Sequence, residues 1–293
     1  MTPAGRFAPS PSGDLHVGNL RTAILAWLFA RSTGRDFLLR VEDLDRARAG
    51  AEAEQLRDLA AVGVTWDGAV VRQTERSELY SQAISALSGA GLTYECFCTR
   101  REIQEAPSAP HAPQGAYPGT CRNLGPAELE IRRSTRPAAI RLRADVTEYT
   151  VKDVLHGPFT GIVDDFVLRR NDGVTAYNLA VVVDDAAQGV DQVVRGDDLL
   201  PSTPRQAYLA GLLNIPVPEY AHVPLVLNSD GARLAKRDGA VTLTDLGLAG
   251  HSAAEVRDLI LNSLKLPRGP LERALAAFRP DSLPREPWVW TGA

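Results

Sequence analysis

The residues best suited to chemistry lie near the start of the chain, in a loop that ends in a histidine and a glycine. Residues 6–19 read RFAPSPSGDLHVGN, and an apolar helical pattern follows at once. Proline and glycine restrict the shape of such a loop, and the free N–H groups at the start of the following helix attract anions. This is an arrangement that holds a phosphate chain. It lacks both the Lys-Ser/Thr pair of a P-loop and the three-glycine spacing of a dinucleotide-binding motif.

A second candidate loop lies far downstream, where residues 233–239 read RLAKRDG. Two cations in such a loop, Lys236 and Arg237, can close over a triphosphate and offset the charge on a leaving pyrophosphate. His16 can act on the charge that develops at the α-phosphate, and Gly18 lets a nucleotide approach the backbone. Taken separately, each loop could be an ordinary turn. Together they predict one nucleotide site.

Several polar side chains fall beside predicted strand ends or helix starts. Arginine binds a carboxylate through two parallel hydrogen bonds. Arg6 and Arg195 could each bind one carboxylate, Tyr177 could add a donor, and Glu42 could hold an ammonium group. A substrate with two carboxylates and one ammonium, such as glutamate, fits this set. On composition alone, Glu42 and Arg195 could equally form a structural ion pair.

Three cysteines, Cys96, Cys98 and Cys121, occur within one short span. Their odd number argues against a disulfide framework, and thiolates are suitable ligands for structural zinc. The spacing is not that of a standard zinc finger, so three reduced, partly buried cysteines are the alternative. His111 and Tyr117 lie between them. Ligand chemistry alone favours His111 as a fourth ligand, because imidazole is the commoner one.

The elements that must position these residues alternate between strand and helix. This order predicts an α/β fold with a doubly wound parallel sheet, in which ligands bind at the carboxyl ends of the strands. The expected strands are 6–8, 37–41, 93–97, 139–143, 147–154, 166–168, 192–194 and 223–227. The expected helices are 19–31, 51–62, 77–88, 127–132, 177–184, 203–213, 253–264 and 270–278.

The alternation breaks between residue 96 and about residue 164, which predicts an inserted subdomain. We therefore expect a first half of a nucleotide-binding catalytic domain at 1–95 and a zinc-binding, acceptor-like insertion at 96–164. The second half of the catalytic domain is expected at 165–222. The second loop and a helical C-terminal region are expected at 223–293.

Composition limits the class of protein. The chain has 293 residues, 44% of them hydrophobic and 23% charged, which is ordinary for a globular protein. Its net charge of −4 gives no general basic field, so any contact with RNA must use a local face. No apolar run reaches the roughly 18 residues that span a bilayer, and the N-terminus lacks an apolar signal core. These features predict a cytoplasmic protein with no membrane partner, and a monomer is expected.

The paired loops resemble the two signatures of class I aminoacyl-tRNA synthetases, and the form PSPSGxLHxG resembles their glutamate and glutamine branch. Nearly the whole chain is similar to the glutamyl-Q tRNA(Asp) synthetases, short paralogues of glutamyl-tRNA synthetase. The resemblance implies glutamate contacts at Arg6, Phe7, Ala8, Pro9, Ser10, Glu42, Tyr177 and Arg195. It implies ATP contacts at His16, Gly18, Asn19, Lys236 and Arg237, with His16 and Lys236 as the catalytic groups. It implies one structural zinc ion held by Cys96, Cys98, Tyr117 and Cys121, with tyrosine as the fourth ligand.

The same resemblance implies a reaction. ATP, with magnesium, and L-glutamate form glutamyl-adenylate, and the glutamyl group passes to queuosine in the anticodon of tRNA(Asp). Only 56 residues follow Arg237, too few for the anticodon-binding region of a full synthetase. The second signature departs from the family pattern at Arg233, where lysine is usual, and at Ala235, where serine is common. Loss of that hydroxyl would remove a hydrogen bond worth about 1 kcal/mol.

Three other functions stay open at this point. One is a truncated glutamyl-tRNA synthetase that charges a tRNA 3′ end. Another is a non-catalytic, zinc-bearing RNA-binding paralogue, although His16 and Lys236 are both present. The last is a different nucleotidyltransferase with a similar first loop, which the cysteine-containing insertion and the two-arginine pocket disfavour.

Overall fold

A seven-stranded sheet organises the protein. The structure is a computed structural model that describes residues 2–45, 47–105, 117–234 and 241–292. The strands of this sheet are β1 (Ala4–Phe7), β2 (Asp36–Val41), β3 (Val71–Arg72), β6 (Glu148–Asp153), β7 (Gly157–Ile162), β9 (Val190–Gly196) and β10 (Glu219–Val223). Their order is β3-β2-β1-β9-β10-β6-β7. All neighbours pair in parallel except β6 and β7, which form an antiparallel hairpin.

The remaining strands form two small sheets. An antiparallel sheet contains β4 (Thr93–Cys96), β5 (Ala139–Leu142) and β8 (Val167–Arg169). A parallel pair contains β11 (Val226–Leu227) and β12 (Trp288–Val289).

Helices connect the strands and cover the large sheet. The helices of the first half are α1 (Val17–Ser32), α2 (Ala51–Ala61), α3 (Ser77–Gly89), α4 (Arg100–Glu105) and α5 (Pro126–Arg133). Those of the second half are α6 (Tyr177–Ala187), α7 (Thr203–Leu212), α8 (Leu243–Leu248), α9 (Ala253–Ser263) and α10 (Leu271–Ala277). Short 3₁₀ turns occupy Gln73–Arg76, Asp197–Ser202 and Pro280–Ser282.

The predicted doubly wound sheet is confirmed, but the strands expected at 93–97 and 166–168 lie in the small antiparallel sheet and not in the large parallel one. The chain runs outward from β1 through β2 to β3, and β9 then pairs with the other side of β1. Strand order therefore reverses between β1 and β9, and ligands of such sheets bind beside this switch point. Helix α1 packs against β1 and β9 and is buried over nearly its whole length. It is the central helix of the main core, which also contains residues from α9 and α10.

The hairpin of β6 and β7 lies within residues 96–164 but adds to the edge of the large sheet, where Tyr220 pairs with Asp153. The single strand expected at 223–227 is wrong. Strand β10 ends at Val223, and Pro224, which has no N–H to donate, separates it from β11. The sequence reading also missed residues 219–222, because Glu219 and His222 do not look like parts of a buried strand.

Candidate active site

A cavity of about 570 Å³ opens beside the switch point. Eleven residues predicted as glutamate or nucleotide contacts line it: Arg6, Phe7, Ala8, Pro9, Ser10, His16, Gly18, Asn19, Glu42, Tyr177 and Arg195. The fold thus brings together side chains that lie up to 189 positions apart in the sequence. Lys236 and Arg237 lie outside the described residues, so their positions stay predictions.

Both flanks of the second loop lie next to the first loop. Arg233 and Leu234 line the same cavity as His16, and Arg233 Nη1 lies 2.7 Å from Asp198 Oδ2. On the other flank, the Val17 amide donates to the Val241 carbonyl at 2.8 Å. The described residues on both flanks of the second loop, 233–234 and 241, therefore lie close to the first loop.

His16 caps helix α1 with its own ring. Nδ1 accepts hydrogen bonds from the amides of Gly18 at 3.1 Å and Asn19 at 3.3 Å, and Asn19 Oδ1 accepts from the His16 amide at 3.2 Å. An acceptor nitrogen carries no proton, so the neutral ring has its proton on Nε2. His16 can therefore act as a donor through Nε2 while its orientation is fixed by the helix backbone.

Gly18 makes room for this ring. A Cβ atom at position 18 would lie 2.9 Å from both Cε1 and Nδ1 of His16 and 3.3 Å from Cβ of Val226. Any side chain at position 18 would displace the imidazole. This adds a second reason for the glycine, beside the close approach of a nucleotide expected from the sequence.

The first loop is held by a glutamine that sequence reasoning missed. Gln55, buried in α2, donates through Nε2 to the carbonyl oxygens of Ser10 at 3.0 Å and Gly13 at 2.6 Å. The sequence gives little indication of this role for Gln55, because a single glutamine in an amphipathic helix looks like a surface residue.

A buried charge network supports Arg6 and Glu42. Arg40, fully buried in β2, donates to Asp185 Oδ1 at 2.7 Å and to Glu42 Oε1 at 3.3 Å. Arg6 Nε donates to the same Asp185 oxygen at 3.4 Å. Although burial favours its neutral form, the charges of Arg40 and Arg6 hold the pKa of Asp185 below its usual range. A charged residue within the apolar run of β2 was the available sequence signal for Arg40.

The electrostatic environment of Glu42 suits a cationic ligand. Burial raises the pKa of Glu42, although Arg40 and Arg6 act in the opposite direction. An ammonium group placed beside this carboxylate in the cavity would act against that shift and favour the ionised form.

Asp184, next to Asp185 in α6, ties this network to the region before β4. Its carboxylate accepts hydrogen bonds from Gln73, Arg76 and the Tyr80 hydroxyl at 2.6 to 2.9 Å. Since Asp184 is completely buried, these bonds offset the cost of removing its charge from water.

Arg195 lies at the carboxyl end of β9 and lines the cavity. In the sheet, β9 flanks β1 on one side, and β2, which carries Arg40, flanks it on the other. Its Nη1 donates to the Tyr177 hydroxyl at 3.5 Å, and its Nη2 donates to Thr203 Oγ1 at 2.8 Å. Tyr177 begins α6 and lines the cavity. The two residues form one donor cluster.

The cysteine cluster lies at the end of β4. The Sγ atoms of Cys96, Cys98 and Cys121 lie within 4.8 Å of one another. The Tyr117 hydroxyl lies 3.3 Å from Cys96 Sγ and 3.8 Å from Cys98 Sγ, and it accepts from the Cys121 amide at 2.8 Å. Three thiols and one phenol thus point to a common centre, a donor set that fits a tetrahedral metal. His111 lies outside the described residues.

Comparison with known proteins identifies the family. The model for the catalytic domain of class I tRNA synthetases (E and Q) matches residues 4–264. The chain belongs to this family. A relative from Nocardia farcinica (strain IFM 10152), named glutamyl-Q tRNA(Asp) synthetase, is 68% identical over 98% of this chain and 93% of its own length. A relative of the same name from Cutibacterium acnes (strain DSM 16379 / KPA171202) is 53% identical over 90% of this chain and 76% of its own length.

Solved synthetases share the fold. The glutamate tRNA ligase from Elizabethkingia meningosepticum CCUG26117, in complex with its amino acid, superposes with a TM-score of 0.85 at 26% identity. The match covers 99% of this chain and 67% of that one. The glutamate-tRNA synthetase from Elizabethkingia anophelis gives a TM-score of 0.86 at 26% identity over 100% of this chain and 68% of that one. Among the described residues of the present chain, no helix is both long enough and apolar enough to cross a membrane.

Proposed function

We propose that this class I synthetase activates L-glutamate with ATP and transfers the glutamyl group to queuosine in the anticodon of tRNA(Asp). The proposal rests on the cavity at the switch point, which is lined by the expected amino-acid contacts and by His16. The names of the two bacterial relatives support the acceptor. A tRNA substrate is in keeping with a cytoplasmic location.

The charges around the cavity match glutamate. Arg195 and Tyr177 offer donors to one carboxylate, and Arg6 offers a guanidinium to the other. Glu42 offers its carboxylate to the ammonium group. Because Arg40 and Asp185 hold Arg6 and Glu42 in place, little side-chain ordering is left for the moment of binding.

In the first step the nucleophile is the α-carboxylate of glutamate. It attacks the α-phosphorus of ATP, a new P–O bond forms, and the bond to the bridging oxygen of pyrophosphate breaks. His16 would donate through Nε2 to the phosphate oxygens as charge develops, while Gly18 and Asn19 border the nucleotide. Lys236 and Arg237 would bind the leaving pyrophosphate, with magnesium carried by the nucleotide. The protein needs no nucleophile or base of its own for this step.

In the second step an acceptor hydroxyl attacks the carbonyl carbon of the adenylate, and AMP leaves. A second cavity, of about 990 Å³, shares Glu42 and Tyr177 with the first and is also lined by Arg100, Arg141 and Arg170. Arg100 is exposed and suits a phosphate of an RNA loop, whereas Arg141 is buried against the Tyr117 ring and Arg170 already pairs with Asp45 and Asp172. The acceptor nucleoside would reach the activated glutamate from this side.

We also propose that Cys96, Cys98, Tyr117 and Cys121 hold one structural zinc ion. The convergence of three Sγ atoms and the Tyr117 hydroxyl supports this assignment. The ion would fix the end of β4 and the segment around Cys121, next to the second cavity, which Cys98 lines.

Glutamate-dependent exchange of pyrophosphate into ATP, without tRNA, tests the first step. Exchange is expected with glutamate and not with aspartate or glutamine, and its absence with glutamate would overturn the proposal. Radiolabelled glutamate and queuosine-containing tRNA(Asp) test the second step. After nuclease digestion, label is expected on the anticodon nucleoside. Label on the terminal adenosine would instead identify a truncated glutamyl-tRNA synthetase.

A further inference from the structure

Arg195 forms hydrogen bonds with two side chains, His222 and Thr203, that do not line the cavity. Its Nε donates to His222 Nε2 at 3.0 Å, and its Nη2 donates to Thr203 Oγ1. These two bonds fix the plane of the guanidinium and leave Nη1 directed at Tyr177 and the cavity. Arg195 is 5% exposed, so this support acts within the protein interior.

The hydrogen bonds of His222 define its protonation state. Arginine can only donate, so Nε2 of His222 must accept and carries no proton. The proton of the neutral ring is therefore on Nδ1, which donates to Asp153 Oδ2 at 2.7 Å. His222 and Asp153 are both fully or almost fully buried.

Asp153 is held so that it can only accept. Its Oδ1 accepts hydrogen bonds from the backbone amides of Leu155 at 2.8 Å and His156 at 3.0 Å. Its Oδ2 accepts from the backbone amide and from the ring Nδ1 of His222. Burial favours the neutral acid, but these bonds hold the pKa of Asp153 below its usual range. The carboxylate in turn selects the His222 tautomer that accepts from Arg195.

We propose that Asp153 and His222 are positioning residues for glutamate recognition, with His222 in its neutral form orienting Arg195 towards the substrate carboxylate. The proposal rests on the assignment of Arg195 to glutamate binding. It gives a role to the β6–β7 hairpin, since Asp153 ends β6 while Arg195 and His222 lie on β9 and β10.

Protonation of His222 would break this arrangement. The ring faces Asp153 from β6, Arg195 from β9 and Thr203 from α7, stacks on Tyr220 of its own strand, and its backbone carbonyl contacts the His156 ring. A second ring proton would point at the Nε–H of Arg195 and place two cations in contact. Burial keeps the pKa of His222 below its ordinary value, so the neutral form prevails at neutral pH. We expect the KM for glutamate to rise as the pH is lowered towards that pKa.

Two substitutions separate the hydrogen bond between His222 and Asp153 from the hydrogen bond between His222 and Arg195. His222→Asn keeps a donor near the Nδ1 position for Asp153 but is too short to reach Arg195. His222→Gln places its carbonyl oxygen near the Nε2 position and retains an acceptor for Arg195. Glutamate-dependent pyrophosphate exchange is measured for both, with KM determined for glutamate and for ATP, and thermal unfolding reports whether the variants are folded.

We expect His222→Asn to raise the KM for glutamate roughly tenfold, while the KM for ATP changes less than about twofold. His222→Gln is expected to stay within about threefold of the wild type and to lose the acid rise in KM. Equal effects of the two variants, or a parallel rise in both KM values, would show a purely structural role and overturn the inference. Unchanged KM values in both variants would overturn it as well. Absence of exchange in the wild-type enzyme would refute the proposed function instead.

Discussion

The carboxylate of Asp185 lies against the guanidinium of Arg40, with Oδ1 2.7 Å from Nη1. Both side chains also contact residues that line the cavity, because Arg6 bonds to Asp185 and Glu42 bonds to Arg40. Removing one partner of such a buried pair leaves an uncompensated charge, which costs far more than the pair contributes.

Arg40→Met should therefore lower the free energy of unfolding by about 3 kcal/mol. The substitution removes the cation that Asp184 and Asp185 share, so Asp185 keeps only Arg6 and Asp184 keeps only Arg76 as a charged partner. Denaturant unfolding followed by circular dichroism measures this effect. Arg133→Met is the matched control, since Arg133 pairs with Glu95 at 2.6 Å but its side chain is 52% exposed. We expect a much smaller loss there, because solvent screens an exposed pair, and equal losses at the two positions would contradict the prediction.

His16→Asn should separate capping from catalysis. Asparagine is a good N-cap, so α1 should stay intact, but it cannot supply the donor at the ring's Nε2 position. We expect pyrophosphate exchange to fall about a hundredfold with little change in Tm. A variant with near-normal exchange would remove His16 from the catalytic groups.

Gly18→Ala should reduce activity by displacing the His16 ring, because the new Cβ would lie 2.9 Å from two ring atoms. The expected result is a fall in the rate of exchange of at least roughly tenfold, with the helix content unchanged. Gly211→Ala, in α7 with open space at its Cβ, is the control. It should leave activity unaltered and raise stability by about 0.5 to 1 kcal/mol. Full activity of Gly18→Ala would show that the site tolerates a shifted ring.

Tyr117→Phe should weaken zinc binding, since it removes the hydroxyl oxygen that lies 3.3 Å from Cys96 Sγ and 3.8 Å from Cys98 Sγ. We expect about one zinc ion per wild-type chain and at least a roughly tenfold lower affinity in the variant, measured by competition with a chelator. Tyr149→Phe controls for loss of a hydroxyl elsewhere. Unaltered affinity in Tyr117→Phe, together with a loss in His111→Ala, would assign the fourth ligand to the histidine. If wild-type protein prepared without chelators contains no zinc, the three cysteines pack in the interior and bind no metal.

Lys236→Ala should retain glutamate binding and lose adenylate formation. The ammonium would act on the charge that develops between the α-phosphorus and the leaving pyrophosphate, so the expected fall in exchange is about a hundredfold or more. Calorimetric titration with glutamate checks that the amino-acid site survives. Arg268→Ala removes a cation that does not line the cavity and should behave like the wild type. Exchange near the wild-type rate in Lys236→Ala would refute the assignment.

The strongly apolar elements were predictable from the sequence. Helix α1 has apolar residues on every side, and β2 is a short apolar run, so both were expected close to where they lie. The loop residues around His16 were found because proline, glycine and histidine are rare together at a helix start.

The supporting residues were not predictable, because their partners come from distant segments. Arg40 lies 145 positions from Asp185, and Asp153 lies 69 positions from His222. Each looks like an ordinary charged residue until the sheet places it beside its partner. Strand β10 was missed for the same reason, since the polarity of His222 is satisfied only once β6 and β9 flank it.

The pairing of β6 with β10 has a consequence for protein engineering. A chimera that grafts residues 148–162 from another synthetase would exchange the residue that accepts from His222 Nδ1 along with the hairpin. Grafts that carry an aspartate at position 153 should keep their amino-acid preference, and grafts without it should not. Substrate choice in this enzyme would then be inherited partly through an edge hairpin that does not line the cavity.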